Sequence, residues 1–154
     1  MARKTYNQKL ADSKDMPAIS TLTDPKAIAR YGGSVMLIAP PLSYDAIMKR
    51  VPKGNVVTSD RIREYLAKKH GADFTCPLTA GIFINVAANA SAERAGENPT
   101  PYYRTLRKDG ELNEKYPDGC DGQKLLLEME GHTVIQKGKR YFVERYEQKL
   151  LELI

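Results

Sequence analysis

The residues best placed to do chemistry in this chain are Pro101-Tyr102-Tyr103-Arg104, where two adjacent phenols precede a guanidinium. A free phenol titrates near pH 10, so at neutral pH both tyrosines are protonated and are poor, hard nucleophiles. The softer nucleophiles are Cys76 and Cys120. They lack metal-ligand spacing and suggest no disulfide framework, and each reads as a small, partly buried side chain. No metal and no cofactor is expected.

The elements that must position these residues can be read from caps and periodicity. Asp24-Pro25 starts a short helix through Ala29 that Gly32-Gly33 ends. Val35 to Ile38 form a short buried strand closed by Pro40-Pro41. Ser43 caps a helix from Tyr44 to about Val51, with Tyr44, Ile47, Met48 and Val51 on one face. Val56-Val57 make a small strand, and Thr58 or Ser59 caps a helix with Ile62, Tyr65 and Leu66 inward, closed by His70-Gly71. Thr75 caps a third helix, from about Cys76 to Asn89, which contains no lysine or arginine. Its small polar residues Thr79, Asn85 and Asn89 are candidates to bond sugar or base edges.

Residues 90 to 99 read as a loop, Tyr102 to Leu106 as a strand, and Asp109-Gly110 as a turn. A fourth helix spans Asp118 to about Glu130. Thr133 to Ile135 and Arg140 to Val143 form a hairpin around Gly138, and Tyr146 to Ile154 read as a packing helix. The fold class is α+β, mainly helical: a winged helix-turn-helix domain over residues 41–154 with an N-terminal arm over 1–40. Residues 1 to about 25 are expected to be weakly ordered unless docked.

The chain of 154 residues carries a formal net charge of +5, with 42% hydrophobic and 28% charged residues. This is an ordinary globular composition, compatible with a polyanionic partner without requiring one. No apolar run approaches the roughly 20 residues of a membrane span, and Met1 to Leu10 lack the apolar core of a secretory signal. A cytoplasmic monomer with no membrane contact is the expectation. Cations cluster around the third helix, at Arg61, Arg63, Lys68, Lys69, Arg104, Arg107, Lys108, Lys137, Lys139 and Arg140; of these Arg61, Arg107 and Lys108 are the stronger phosphate candidates.

From about Tyr44 to Val143 the order of segments resembles the C-terminal DNA-binding domain of the O6-alkylguanine-DNA alkyltransferases. The pieces that carry the resemblance are Ile47 through Thr58 and the helix pair after it, Pro101-Tyr102-Tyr103-Arg104, Asp109-Gly110 with Leu112, and Gln123 through Gly131. In that family the motif reads Pro-Cys-His-Arg, and its cysteine accepts the alkyl group. The resemblance therefore puts Tyr102 at the acceptor position, Tyr103 at the position of the activating base, and Glu130 at the carboxylate that orients that base. It makes Arg104 the leading DNA contact and Tyr102-Tyr103 the lining of a base pocket. It also places Ser59 where the family has a phosphate-rotating tyrosine, and a residue near Ala87 where the family inserts an arginine into the duplex. The nearest type is the non-catalytic alkyltransferase-like proteins.

The resemblance implies a DNA-repair protein without alkyl transfer that binds double-stranded, alkylated or distorted DNA and signals to a repair-protein partner. Two alternatives stand beside it. One is an active methylated-DNA–protein-cysteine methyltransferase using Cys76 or Cys120, and the other is a winged-helix regulatory or interaction module.

Overall fold

The structure, a computed structural model, describes residues 3–154. Met1 and Ala2, the first two residues of the expected arm, lie outside the described residues. The remainder of that arm is folded onto the domain. Thr5 and Gln8 form a reciprocal capping box, which starts helix α1 (Tyr6–Ala11). Strand β1 (Ala18–Thr21) follows, then α2 (Pro25–Tyr31), capped by the Asp24 side chain and closed by Gly32 in the left-handed region. Strand β2 (Val35–Ile38) pairs antiparallel with β1.

Helix α3 (Pro41–Lys49) begins earlier than its Ser43 signal, because Pro41 occupies the first turn, where a missing N–H costs nothing. Its inward face is the one the spacing gives, with Tyr44, Ile47, Met48 and then Val51 all buried. Strand β3 (Val57–Thr58) leads into α4 (Ser59–Lys69), which buries Ile62 and Leu66. Strand β4 (Phe74–Thr75) runs parallel to β2, completing a three-stranded sheet of order β1-β2-β4.

Helix α5 (Pro77–Glu93) is the central strut. It runs four residues beyond the expected end at Asn89, since Glu93 and Arg94 are held by the docked arm. Ala80, Ile84, Val86, Ala87, Ala88 and Ala90 lie in the main core with Leu37, Tyr44, Met48 and Ile62. The small side chains let α1 and α3 approach closely.

Tyr102–Arg104 form a single 3-10 turn instead of a strand; only Thr105–Leu106, strand β5, pairs, parallel to β3. Helix α6 (Gly119–Met129) buries Gln123 and Leu127, while Leu125 and Met129 are exposed. A second core of Val56, Leu106, Leu112, Leu127 and Val143 binds α6 to the hairpin β6 (Val134–Lys137) and β7 (Arg140–Val143). The tail does not form the expected helix. After a 3-10 turn at Tyr146–Lys149 it becomes extended, with Val56 N–H bonded to the Lys149 carbonyl and Leu151 N–H to the Val56 carbonyl.

Candidate nucleic-acid interface

The turn that carries Tyr102 is held from behind by the loop at 94–100. Ser91 and Thr100 exchange hydrogen bonds, with Thr100 N–H to Ser91 Oγ at 2.9 Å and Ser91 Oγ–H to the Thr100 carbonyl at 3.2 Å. Thr100 Oγ1 donates to the buried Asp45 carboxylate at 2.6 Å. From the other side, Gln123 is fully buried: its Nε2 donates to the Tyr103 carbonyl, and its Oε1 accepts from Asn113 N–H. Nothing in the sequence pattern singles out Gln123 for this, because a polar residue on a helix otherwise signals solvent.

Glu130 is the hub of the turn. Its carboxylate accepts from Tyr103 Oη at 2.8 Å, from Arg104 Nη2 at 2.7 Å and Nε at 3.0 Å, and from Gly54 N–H at 3.2 Å. Burial opposes ionisation of Glu130, but Arg104, Gly54 and Tyr103 outweigh it and hold the carboxyl below its ordinary range. Burial, and then the bond to Glu130, push the Tyr103 phenol up. Arg104 also donates from Nη1 to the Val51 carbonyl at 2.8 Å and stacks over the Tyr103 ring.

This geometry turns Arg104 towards the fold. Its side chain is only 14% exposed, and its fork is taken by Glu130 and Val51, so here it braces the turn. Tyr102 and Tyr103 are packed into the same turn. Tyr102 sits edge-on between the rings of Tyr103 and Tyr116 and packs on the main core. A phenol with a ring-sized body fills the space beside Tyr116. Burial, with Asp118 nearby, pushes its hydroxyl up, away from a nucleophilic phenolate.

A cavity of about 430 Å³ opens elsewhere, between the start of α4, the middle of α5 and the hairpin. It gathers four of the expected contact residues, Ser59, Asn85, Arg107 and Lys108, on one wall system with Asn113 and Arg140. Asn113, which the sequence reading missed, donates to Asn85 Oδ1 at 2.8 Å and accepts from Arg107 Nη2 at 3.3 Å. Arg140 is tied to Glu111 at 2.8 Å on the cavity rim. The Asp109-Gly110 turn shapes this rim, and Gly110 is required there: its φ is +83° and a Cβ would meet the Tyr146 ring at 2.5 Å.

The other expected contacts are not brought to this cavity. Arg61 faces a different cleft with Glu64, Tyr65 and Glu152. Thr79 donates weakly to the Cys76 carbonyl, and Asn89 is spent on the Asn85 and Lys115 carbonyls. Ala87, the expected place of an inserted residue, is fully buried. Cys76 and Cys120 are both partly exposed, and burial together with Glu114 pushes the Cys120 thiol up, against a reactive thiolate.

Fold and site together define an α+β domain in which the 102–104 turn is a closed aromatic and ion-pair cluster. The comparisons give that architecture its relatives. The structure is similar to that of Schizosaccharomyces pombe Atl1, an alkyltransferase-like protein, solved with damaged DNA containing O6-carboxymethylguanine: TM-score 0.52, 18% identity, covering 73% of this chain and 94% of that one. A second S. pombe ATL structure, in complex with DNA, matches with TM-score 0.48 and 21% identity over 72% of this chain and 92% of that one. The chain thus has the alkyltransferase-like fold. No family model and no curated protein sequence matches it. Among the described residues no helix is long and apolar enough to cross a membrane.

Proposed function

We propose that this protein binds double-stranded DNA and recognises alkylated or distorted guanine sites without alkyl transfer, marking them for repair. The observation that carries this reading is the cation-rimmed cavity, where Ser59, Asn85, Arg107 and Lys108 converge on a fold of the alkyltransferase-like type. Its volume is suited to an extruded base, and its rim presents hydrogen-bond donors with positive charge, the chemistry that engages a nucleotide and its phosphate. With a protonated, ring-packed phenol at Tyr102, there is no acceptor for an alkyl group.

In this reading residues 41–154 are a winged helix-turn-helix domain. Helices α4 and α5 form the pair, the hairpin β6–β7 is the wing, and residues 1–40 are an added arm. The protein acts as a cytoplasmic monomer that hands the site to a repair-protein partner. Gel shifts with matched duplexes, one plain and one carrying a single O6-alkylguanine, test the reading. Preferential binding to the alkylated duplex is expected, weakened by Asn85→Ala and by Lys108→Ala. Equal or absent binding to both duplexes at low salt would overturn it.

A further inference from the structure

The exposed start of α5 is apolar, and positive charge lies on both sides of it. Leu78 is 72% exposed and Ile82 50%, with Gly81 open beside them. From Pro77 to Ala92 the helix carries no charged residue. At about 100° per residue, Gly81 and Asn85 fall on one side of the Leu78–Ile82 ridge, and Phe83 and Val86 on the other. On the first side is the cavity rimmed by Arg107, Lys108 and Arg140, opposed by Asp109 and Glu111. On the second side is a separate cavity of about 330 Å³, floored by Pro41, Ile82, Phe83 and Val86 and rimmed by Lys4, Lys9 and Lys14, opposed by Asp12.

The second rim comes entirely from the N-terminal segment, and that segment is clipped in place. Glu93, at the end of α5, accepts from Tyr6 N–H and Asn7 N–H, which are free donors of the first turn of α1, and from Asn7 Nδ2. Arg94 donates to Asn7 Oδ1 at 2.7 Å, and Leu10 is buried against the core. Among the rim groups Lys4 pairs with Asp12, and Asp15 adjoins Lys14 without lining the cavity. Lys9 and Lys14 are exposed and, among the described residues, in no ion pair with a carboxylate.

We propose that the N-terminal segment is a second phosphate-contacting rail, so that the Leu78–Ile82 ridge enters a groove of duplex DNA with one strand against Arg107 and Lys108 and the other against Lys9 and Lys14. This rests on the DNA-binding reading and extends it. A duplex groove is bounded by two rows of phosphates, and an uncharged ridge between two rows of cations matches that pattern. Apolar side chains in such a groove touch base faces or wedge between steps, and Gly81 lets the backbone come close. The arm would therefore face the second strand, across the ridge from the cavity beside Asn85.

The test is the salt dependence of duplex binding, measured by anisotropy from about 50 to 200 mM salt, a range over which phosphate contacts dominate the change in affinity. Lys9→Ala/Lys14→Ala should lower the magnitude of the log–log slope by about 0.9 per lysine. Lys26→Ala, an equal charge change on exposed α2, should leave the slope alone. Leu78→Ala/Ile82→Ala should weaken binding by about tenfold with the slope unchanged, since apolar contacts release no counterions. An unchanged slope in the lysine pair, in a protein that still binds duplex and melts at the wild-type temperature, overturns the rail and leaves the DNA-binding reading standing. Absence of duplex binding by the wild-type protein overturns both.

Discussion

Removing the Glu130 carboxylate should cost this protein more stability than any other single surface-proximal change, because three donors converge on it. In Glu130→Ala the guanidinium of Arg104 keeps only the Val51 carbonyl, and Tyr103 Oη and Gly54 N–H lose their acceptor. The paired side chains are only 14% and 6% exposed, so water replaces little of what is lost. Breaking such a pair from one side typically costs about 3–5 kcal/mol. The retained Val51 bond and the residual exposure of Arg104 put this case near the lower end, about 3 kcal/mol. In a urea titration with a slope near 2 kcal/mol/M, that is a midpoint lower by about 1.5 M with an unchanged slope. Arg104→Ala should cost less, about 2 kcal/mol, because Glu130 keeps two donors. The double variant should fall short of the sum by about 1–2 kcal/mol, the coupling expected of residues in direct contact. The carboxyl of Glu130 is held below its ordinary value, so its contribution is fully present above that value and fades as the pH falls through the lower folded one. The gap between wild type and Glu130→Gln should therefore narrow towards pH 3. Additive single effects, or a loss below about 0.5 kcal/mol in Glu130→Ala, would refute the reasoning and return the pair to the rank of a solvated surface bridge.

Two further outcomes follow from the same geometry. His132 is buried with Nε2 unpaired, and burial holds its imidazole below the ordinary range despite the nearby Glu130, with Lys149 acting in the same direction as burial. Stability should be complete above the ordinary value near 6.5 and decline as the pH falls below it towards the folded one, a decline that His132→Leu should flatten between about pH 7 and 5 in chemical denaturation. Tyr102→Cys should not restore alkyl transfer. Burial and Asp118, which push the phenol up, would act on a thiol in the same direction, and Tyr103 supplies no base. Incubation with a fluorescent benzylguanine should leave the variant unlabelled, and a stable adduct at position 102 would count against this account of the site.

What was legible in the sequence is what is encoded locally. Asp24 and Gly32 bracket α2 because a cap side chain and a left-handed glycine act within a few residues of each other. The inward face of α3 follows from spacing alone, as does the hairpin about Gly138. Misreadings occur where a distant partner decides. The apolar spacing of Tyr146, Leu150, Leu151 and Ile154 fits a helix, yet the segment is extended because Val56 takes up its backbone groups from far along the chain. The strand β5 is two residues long because β3, its partner, is two residues long. Helix α5 extends to Glu93 because that carboxylate caps α1. None of these partners leaves a mark in the local pattern.

The same distinction explains the functional turn. The resemblance implies acceptor, base, arginine and carboxylate positions for Tyr102, Tyr103, Arg104 and Glu130, but sequence order does not say which groups find one another. The structure shows Tyr103 donating to Glu130, the bond a base at that position would also make, from a hydroxyl whose proton is bound more tightly than usual. Tyrosine there keeps the hydrogen bond that fixes the turn and removes the basic nitrogen that reactivity needs. Arg104 completes the carboxylate from the other side, so the turn is neutralised and closed without a nucleophile. Arg107 and Lys108 beside the α5 cavity, and Lys9 and Lys14 on the N-terminal segment, lie away from that turn. Tyrosine at 102 and 103 is thus compatible with an intact turn, and the proposed recognition rests on side chains outside it.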